Sequence, residues 1–380
     1  MKAPVRAALA IIFFLCALPG WAQAPVRIGA FLAITGDGAF LGAPALATLE
    51  LYTELVNAQG GVHGRPLELV YYDVGIDTRS AQSAVRRLIE SDRVDLIIGG
   101  STTGATMAVI PLVEQARVPF LALAGSAAVT NPVNPWVFKT SQTDRLACAK
   151  IFDDMKKRRF TRVALMSGDG GFGASMREHC KALASAFGLA IVVDEVYPSQ
   201  SRKVTEQLNR LAGTSDVQAV LNLDFGAGPS IVTQLYRRMG FRQPLYQSHA
   251  QASDDFLNVS GEAANGVRIP APPLIVLRQL PDNDPLKRML RAYDEAYRKR
   301  WDVAPNVYGS HAHDAFLIAI AALARAGTTD KAAVRAAIES TRNFPGTNGI
   351  YRMSADDHMG LDLGAFRMAE ARAGSWDLIE

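Results

Sequence analysis

The sequence predicts an α/β protein built as two doubly wound parallel-sheet lobes joined by a multi-strand hinge. Three observations carry this. Apolar runs of strand length alternate with segments of helical spacing from residue 26 to residue 249, the pattern of parallel strands covered on both faces. About 355 residues remain once a leader is set aside, more than one core organises, since single cores stop growing near roughly 250–300 residues. The chain also repeats its own plan. "VDLIIGGSTTGATMAVIPLVEQARVPFLALAGSA" and "VQAVLNLDFGAGPSIVTQLYRRMGFRQPLYQSHA" both run strand, small-residue loop, helix, strand, polar residue. Ser126 follows Ser101 by 25 positions, and His249 follows Asp224 by 25 (126 − 101 and 249 − 224).

The elements follow in order. Lys2 and Arg6 precede an apolar run from Ala7 to Leu18, then Pro19, Gly20 and "WAQA". A charged start, a short apolar stretch and a small-residue exit describe a secretory signal peptide over residues 1–24, cleaved after Ala22 or Ala24. Next come "VRIGAFLAIT" and a helix from Leu41 to Asn57, "LELVYYD" and a helix over 78–90, "VDLIIGG" and a helix over 103–116. "VPFLALAG" and "WVFKTSQ" lead to a helix over 143–157. The scheme restarts with "RVALMSG", a helix over 173–187, "IVVDEVY", a helix over 204–211, "VQAVLNLD", a helix over 229–239, and "PLYQSHA". The remainder turns helical, over 285–301, 306–326 and 330–340. It closes on "NGIYRMS" and "LDLGAFRMAEARAG", which read as a β-hairpin.

Composition narrows the partners. Forty Lys and Arg against 37 Asp and Glu give a formal charge of +3. Loss of the leader removes two of the positive charges. "KKRR" at 156–159 reads as the solvated end of a helix, so nucleic acid and anionic membrane are poor partners. Cys148 and Cys180 remain after export, where a bridge is permitted; a bridge and two free thiols both stay open.

Matching strand ends from two lobes create one cleft, since ligands of open α/β sheets bind beyond the carboxyl ends of strands. Ser101 and Thr103 place hydroxyls and free amides at a helix start, which suits one carboxylate; Thr103 also reads as a plain N-cap. Ser126 faces the same edge, and His249 ends a strand opposite. "GGSTTGAT" has no Gly-Lys-Ser/Thr, so it is not a P-loop. Gly168, Gly170 and Gly173 do match G-x-G-x-x-G, with Asp194 beyond, as at a dinucleotide site. A chain exported unfolded must find that cofactor outside the cell, so the loop is read as a cleft wall carrying Phe172, and no cofactor is expected. His311 and His313 point about 200° apart on a helix and cannot chelate one ion from one face, so no metal is expected. No G-x-S-x-G elbow occurs, and no catalytic residue is expected.

These residues carry a resemblance. "VRIGAFLAITGDGAFLG", "NAQGGVHGRPLELVYYD", "IIGGSTTGAT", "VPFLALAGSA" and "GDGGFG", in that order, resemble the periplasmic leucine/isoleucine/valine-binding proteins of ABC importers. The resemblance implies the type I periplasmic binding fold, with residues 25–141 and 271–344 in the first lobe and 142–270 and 345–380 in the second. It implies a monomer in the periplasm that performs no reaction and hands its ligand to a membrane permease. It places ligand-carboxylate contacts on Thr103, Ser126 and the Ala124 backbone, with aromatic neighbours at Phe172 and Phe225. The departure is His249, where amino-acid binders of the family hold a Glu that pairs with the ligand's ammonium. A buried ammonium without a carboxylate costs several kcal/mol. Either Asp224 supplies the charge and the ligand is a branched-chain or other hydrophobic amino acid, or the ligand has a carboxylate and no ammonium. Phe40, Phe172, Phe225 and Tyr308 suit an aromatic or branched acid, and "YQSHAQASDDF" and "MSADDHMGLD" are similar to an aromatic-acid subgroup. A receptor domain of the same fold, reporting ligand to a sensor, is the other alternative.

Overall fold

In the computed structural model of the chain, residues 24–199 and 203–380 are described; the expected leader lies outside them. The first sheet grows from strands too apolar to face water. β1 (Val26–Leu32) is buried at every position but Arg27, and β3 (Leu96–Gly99), β4 (Phe120–Ala122) and β5 (Val137–Lys139) are buried throughout. With β2 (Leu67–Asp73) they form a parallel sheet in the order β2-β1-β3-β4-β5. Helices α1 (Ala39–Ala58), α2 (Thr78–Glu90) and α3 (Thr103–Ala116) connect these strands. Local chemistry fixes where the helices begin: Asp77 accepts the Ser80 amide at 2.7 Å, and Thr102 accepts the Ala105 amide at 3.2 Å. α2 and α3 cover one face of the sheet.

The second sheet begins after α4 (Asp144–Lys157), which Thr143 caps. It contains β6 (Arg162–Gly168), β7 (Ala190–Tyr197), β8 (Ala219–Leu223), β9 (Leu245–Gln247) and β10 (Arg268–Ala271), linked through α5 (Gly171–Ala184), α6 (Thr205–Ala212), α7 (Gly228–Arg238) and α8 (Asp254–Ser260). Two further helices, α9 (Lys287–Trp301) and α10 (Val307–Ala326), lead to α11 (Lys331–Glu339) and the short pair β11 (Phe344–Pro345) and β12 (Ile350–Tyr351). The chain ends on β13 (Arg367–Arg372) and β14 (Ser375–Leu378), which extend the second sheet antiparallel to β10 and give the order β14-β13-β10-β9-β8-β6-β7. The predicted closing hairpin is therefore corrected. "NGIYRMS" pairs back with Phe344 and Pro345, and "FRMAEAR" pairs with "SWDL".

Packing shifts the lobe boundaries from those expected at 271 and 345. Leu280, Leu286 and α9 join the core of the second lobe, and the chain returns to the first lobe with α10 and α11, which pack with α1 over the other face of the first sheet. Tyr351, Met353, Met359, Leu361 and Ala365 also join the first-lobe core, and Phe366 is the first residue back in the second. Apolar contacts decide which lobe a segment joins. The crossings are tied together: Thr140 Oγ1 donates to the His311 carbonyl at 2.9 Å, and Tyr351 OH donates to the Thr140 carbonyl at 2.6 Å. Cys148 of α4 and Cys180 of α5 form a disulfide, which closes the question left open by composition.

Candidate functional site

The carboxyl ends of β3, β4, β8 and β9 converge on a cleft between the lobes. Its outer part has a volume of about 620 Å³, and a narrower inner chamber one of about 50 Å³. Thr103, Phe172, Phe225 and Tyr308 border both. At roughly 10–15 Å³ per water, the inner chamber holds a handful of waters or part of a small ligand. Leu41, Leu123, Pro272 and Val307 make much of its wall apolar.

The first-lobe wall is the handover from β3 to α3. Ser101 Oγ accepts the Ala33 amide at 3.0 Å, which leaves its proton free to donate. The cap reading of Thr103 is resolved in favour of its neighbour, since Thr102 caps α3. Thr103 is the first helical residue, and its Oγ1 is buried with no hydrogen-bond partner among the described residues.

On the second lobe, Phe172 at the start of α5 meets the Phe225 ring edge-on at 5.9 Å and the His249 ring at 5.5 Å. His249 is buried, and its Nδ1 has no partner among the described residues. Burial, then Lys139 and His311, depress its pKa to about 3, so it is neutral at physiological pH. His311, from α10, also lines the inner chamber. Its Nε2 is unpartnered, and its pKa is lowered to about 3, chiefly by burial and against the pull of Asp314.

Three expected contacts lie elsewhere. Ser126 is fully buried beside the chamber; its Oγ accepts the Ala128 amide at 3.1 Å and shares a 2.7 Å hydrogen bond with Ser175 Oγ of α5. The short turn after β4 needs that cap, and the hydroxyl serves a lobe-to-lobe contact. Ala124 is buried behind the wall, where its carbonyl accepts from Ser141 Oγ at 2.7 Å, and Gly125 borders the chamber in its place. Asp224 is turned away from the chamber. A Cβ added at Gly168 would come within 2.2 Å of Asp224 Oδ2, so the glycine of "MSGDGG" makes room for this carboxylate. Burial raises its pKa to about 6, opposed by the Phe225 amide and the Ser199 and Tyr197 hydroxyls around it, although none of these makes a hydrogen bond of full geometry.

The dinucleotide-like loop has another use. Gly170 and Gly171 border the outer cleft. A Cβ at Gly173 would stand 2.4 Å from the Gly168 carbonyl, so close packing requires that glycine. Asp194 is held on the surface by the Arg177 guanidinium, at 2.5 and 2.6 Å. Phe40 and Tyr308 stack edge-on at 5.6 Å at the outer cleft, and Tyr308 OH reaches across to the Ala250 carbonyl at 2.9 Å.

Sequence reasoning missed His311 as a residue of the chamber lining, and the buried Lys139 behind it. In sequence, the spacing of His311 and His313 speaks only to metal binding. Lys139 ends a three-residue strand with nothing in its neighbours to mark it.

Two parallel-sheet lobes with tied crossings, presenting their strand ends to one shared cleft, define a hinged two-lobe binding fold. A family model described as periplasmic binding protein matches residues 25–374, and the chain belongs to that family of solute-binding proteins. Among curated relatives, Leu/Ile/Val-binding protein homolog 7 of Brucella abortus (strain 2308) is 23% identical over 330 residues, 84% of this chain and 82% of that protein. Homolog 8 of the same strain is 28% identical over 190 residues, 47% of each chain. An extracellular ligand-binding receptor from Rhodopseudomonas palustris HaA2 superposes with a TM-score of 0.87 at 24% identity, over 94% of this chain and 100% of that one. The branched-chain amino acid transporter substrate binding protein of Streptococcus pneumoniae, solved with isoleucine, gives a TM-score of 0.79 at 19% identity, over 93% and 98%. These last two similarities establish the fold.

Proposed function

We propose that the chain is the periplasmic solute-binding protein of an ABC importer, and that it captures a small carboxylate with an aromatic or branched apolar body. It performs no reaction on that ligand and delivers it to a membrane permease. The observation that carries the reading is Thr103. Its hydroxyl is buried without a partner at the first turn of α3, beside a chamber whose lining contains no acidic residue. A carboxylate oxygen there accepts a hydrogen bond that is otherwise unmade and sits at the positive end of the helix. Leu41, Leu123, Phe172 and Phe225 suit the apolar body.

Capture of a branched-chain amino acid is the second reading, favoured by the names of the Brucella relatives and by the isoleucine held in the Streptococcus protein. It requires an anion for the ammonium, and Asp224 is turned from the chamber. Asp37, Asp169 and Asp255 border only the outer cleft. Titration calorimetry of the exported chain with benzoate, 3-phenylpropionate, isovalerate, leucine and phenylalanine tests the choice. Saturable heat from an acid and none from the amino acids is expected. Leucine binding with no acid bound would overturn it.

A further inference from the structure

We infer that Lys139 supplies the charge that selects an anionic ligand in the inner chamber. The inference rests on the carboxylate reading of that chamber and adds the residue that decides ligand charge. Lys139 is the last residue of β5 and has no exposed surface. Its Nζ donates at 3.0 Å to the Ser126 carbonyl, a neutral partner, and no carboxylate lies within ion-pair distance among the described residues. The other buried lysine among the described residues is different: Lys287 pairs with Asp282 at 2.9 Å. A buried ammonium without a counter-ion is costly, so the unliganded fold carries an unmet demand for negative charge at this point.

Lys139 does not itself border the chamber; it stands one residue behind the wall. Ser126, which holds the ammonium, follows Gly125 of the lining, and Thr140, the next residue after Lys139, donates to the carbonyl of His311. His249 and His311 both feel the Lys139 charge. Two histidines of the lining, from the end of β9 and from α10, thus lie within the field of a lysine set behind the wall, while the inner lining has no acid. The one carboxylate that acts on Lys139, Asp144, stands beyond ion-pair distance, held by the Ala127 amide at 3.0 Å, the Arg145 amide at 2.7 Å and the Ser175 hydroxyl at 2.5 Å. Burial, opposed by Asp144, brings the Lys139 ammonium down to about 7. A ligand carboxylate entering the chamber supplies the missing charge and favours the ammonium form. An uncharged ligand of the same shape does not.

The test compares the exported chain with Lys139→Met, which keeps the bulk, and Lys139→Gln, which keeps a donor for the Ser126 carbonyl without the charge. Calorimetry measures 3-phenylpropionate, its uncharged amide and leucine, and thermal denaturation without ligand is recorded in parallel. Both variants are expected to bind 3-phenylpropionate about tenfold or more weakly, with any binding of the amide unchanged. Both are also expected to melt at or above the temperature of the parent, because a buried unpaired charge has been removed. A variant that melts lower identifies the ammonium as a structural prop and overturns the inference whatever the ligand. Acid affinity unchanged, or falling equally with that of the amide, overturns it while leaving the carboxylate reading in place. A parent that binds leucine and no acid overturns both.

Discussion

Thr102 Oγ1 accepts the Ala105 amide and caps α3, and this leaves the hydroxyl of Thr103, one residue on, buried and unpartnered at the cleft. Two adjacent threonines thus divide two tasks that one residue was expected to perform or fail at. The division can be measured. Thr102→Ala should lower stability by about 1 kcal/mol, the usual worth of an N-cap, with little change in ligand affinity. Thr103→Val should leave the melting temperature near that of the parent and weaken carboxylate binding by about 1.5–3 kcal/mol, the range for a hydrogen bond to a charged group. Thermal melts and calorimetry on both variants decide it; an affinity loss in Thr102→Ala alone would reverse the assignment.

Ser126 of the first lobe and Ser175 of the second are joined through their hydroxyls, and Ser175 passes the contact on to Asp144. Neither serine borders the inner chamber. Ser175→Ala should therefore weaken every ligand by a similar factor, about two- to tenfold for one net hydrogen bond of 0.5–1.5 kcal/mol. The cause is a smaller closed population rather than a lost ligand contact. Small-angle scattering of the unliganded variant should show a larger radius of gyration. A loss confined to one ligand would return Ser126 to the ligand's first contacts.

The fold was legible because it depends on pattern. Parallel strands buried on both faces must read as apolar runs; β3 and β4 do so over every residue, and β8 at all but Asn222. The 25-residue spacing placed Ser101 and His249 on facing walls for the same reason. Which polar atom remains free is a three-dimensional matter. Ser126 Oγ is engaged by the cap of the turn after β4, and Asp224 packs against Gly168 and turns back towards Ser199 and Tyr197. Lys139 was invisible because nothing local distinguishes a buried lysine from a solvated one.

The chamber histidines contribute to the acid limb of stability. His249 and His311 have pKa values lowered to about 3 in the fold, first by burial, while the unfolded chain takes up these protons near pH 6.5. Between those values the unfolded state binds more protons, so stability rises with pH from about 3 to 6.5 and is lost as pH falls. Asp224, raised to about 6 by burial, contributes the opposite slope between about 3.8 and 6. Two histidines outweigh one carboxylate, so the melting temperature should fall between pH 6.5 and pH 4, and His311→Gln should flatten the fall. An unchanged slope in that variant would remove His311 from the account.

The Cys148–Cys180 disulfide links α4 to α5, and the amino-terminal ends of these helices carry Asp144 on one side and Phe172 and Ser175 on the other. It closes a loop of sequence separation 32, for which chain-entropy reasoning gives about 3–4 kcal/mol of stabilisation. The helices keep other reasons to stay together, since Ala147, Ile151, Phe152 and Met176 share one buried core. Removal of the bridge should therefore lower stability without displacing the site. The double variant Cys148→Ala, Cys180→Ala should lose about 2–4 kcal/mol in denaturant unfolding, and its affinity for a carboxylate ligand should stay within about threefold of the parent. An affinity that collapses while the melting temperature holds would mean that the bridge positions Phe172 and Ser175, because the shared core alone would then be too weak to fix the two helix ends against the cleft.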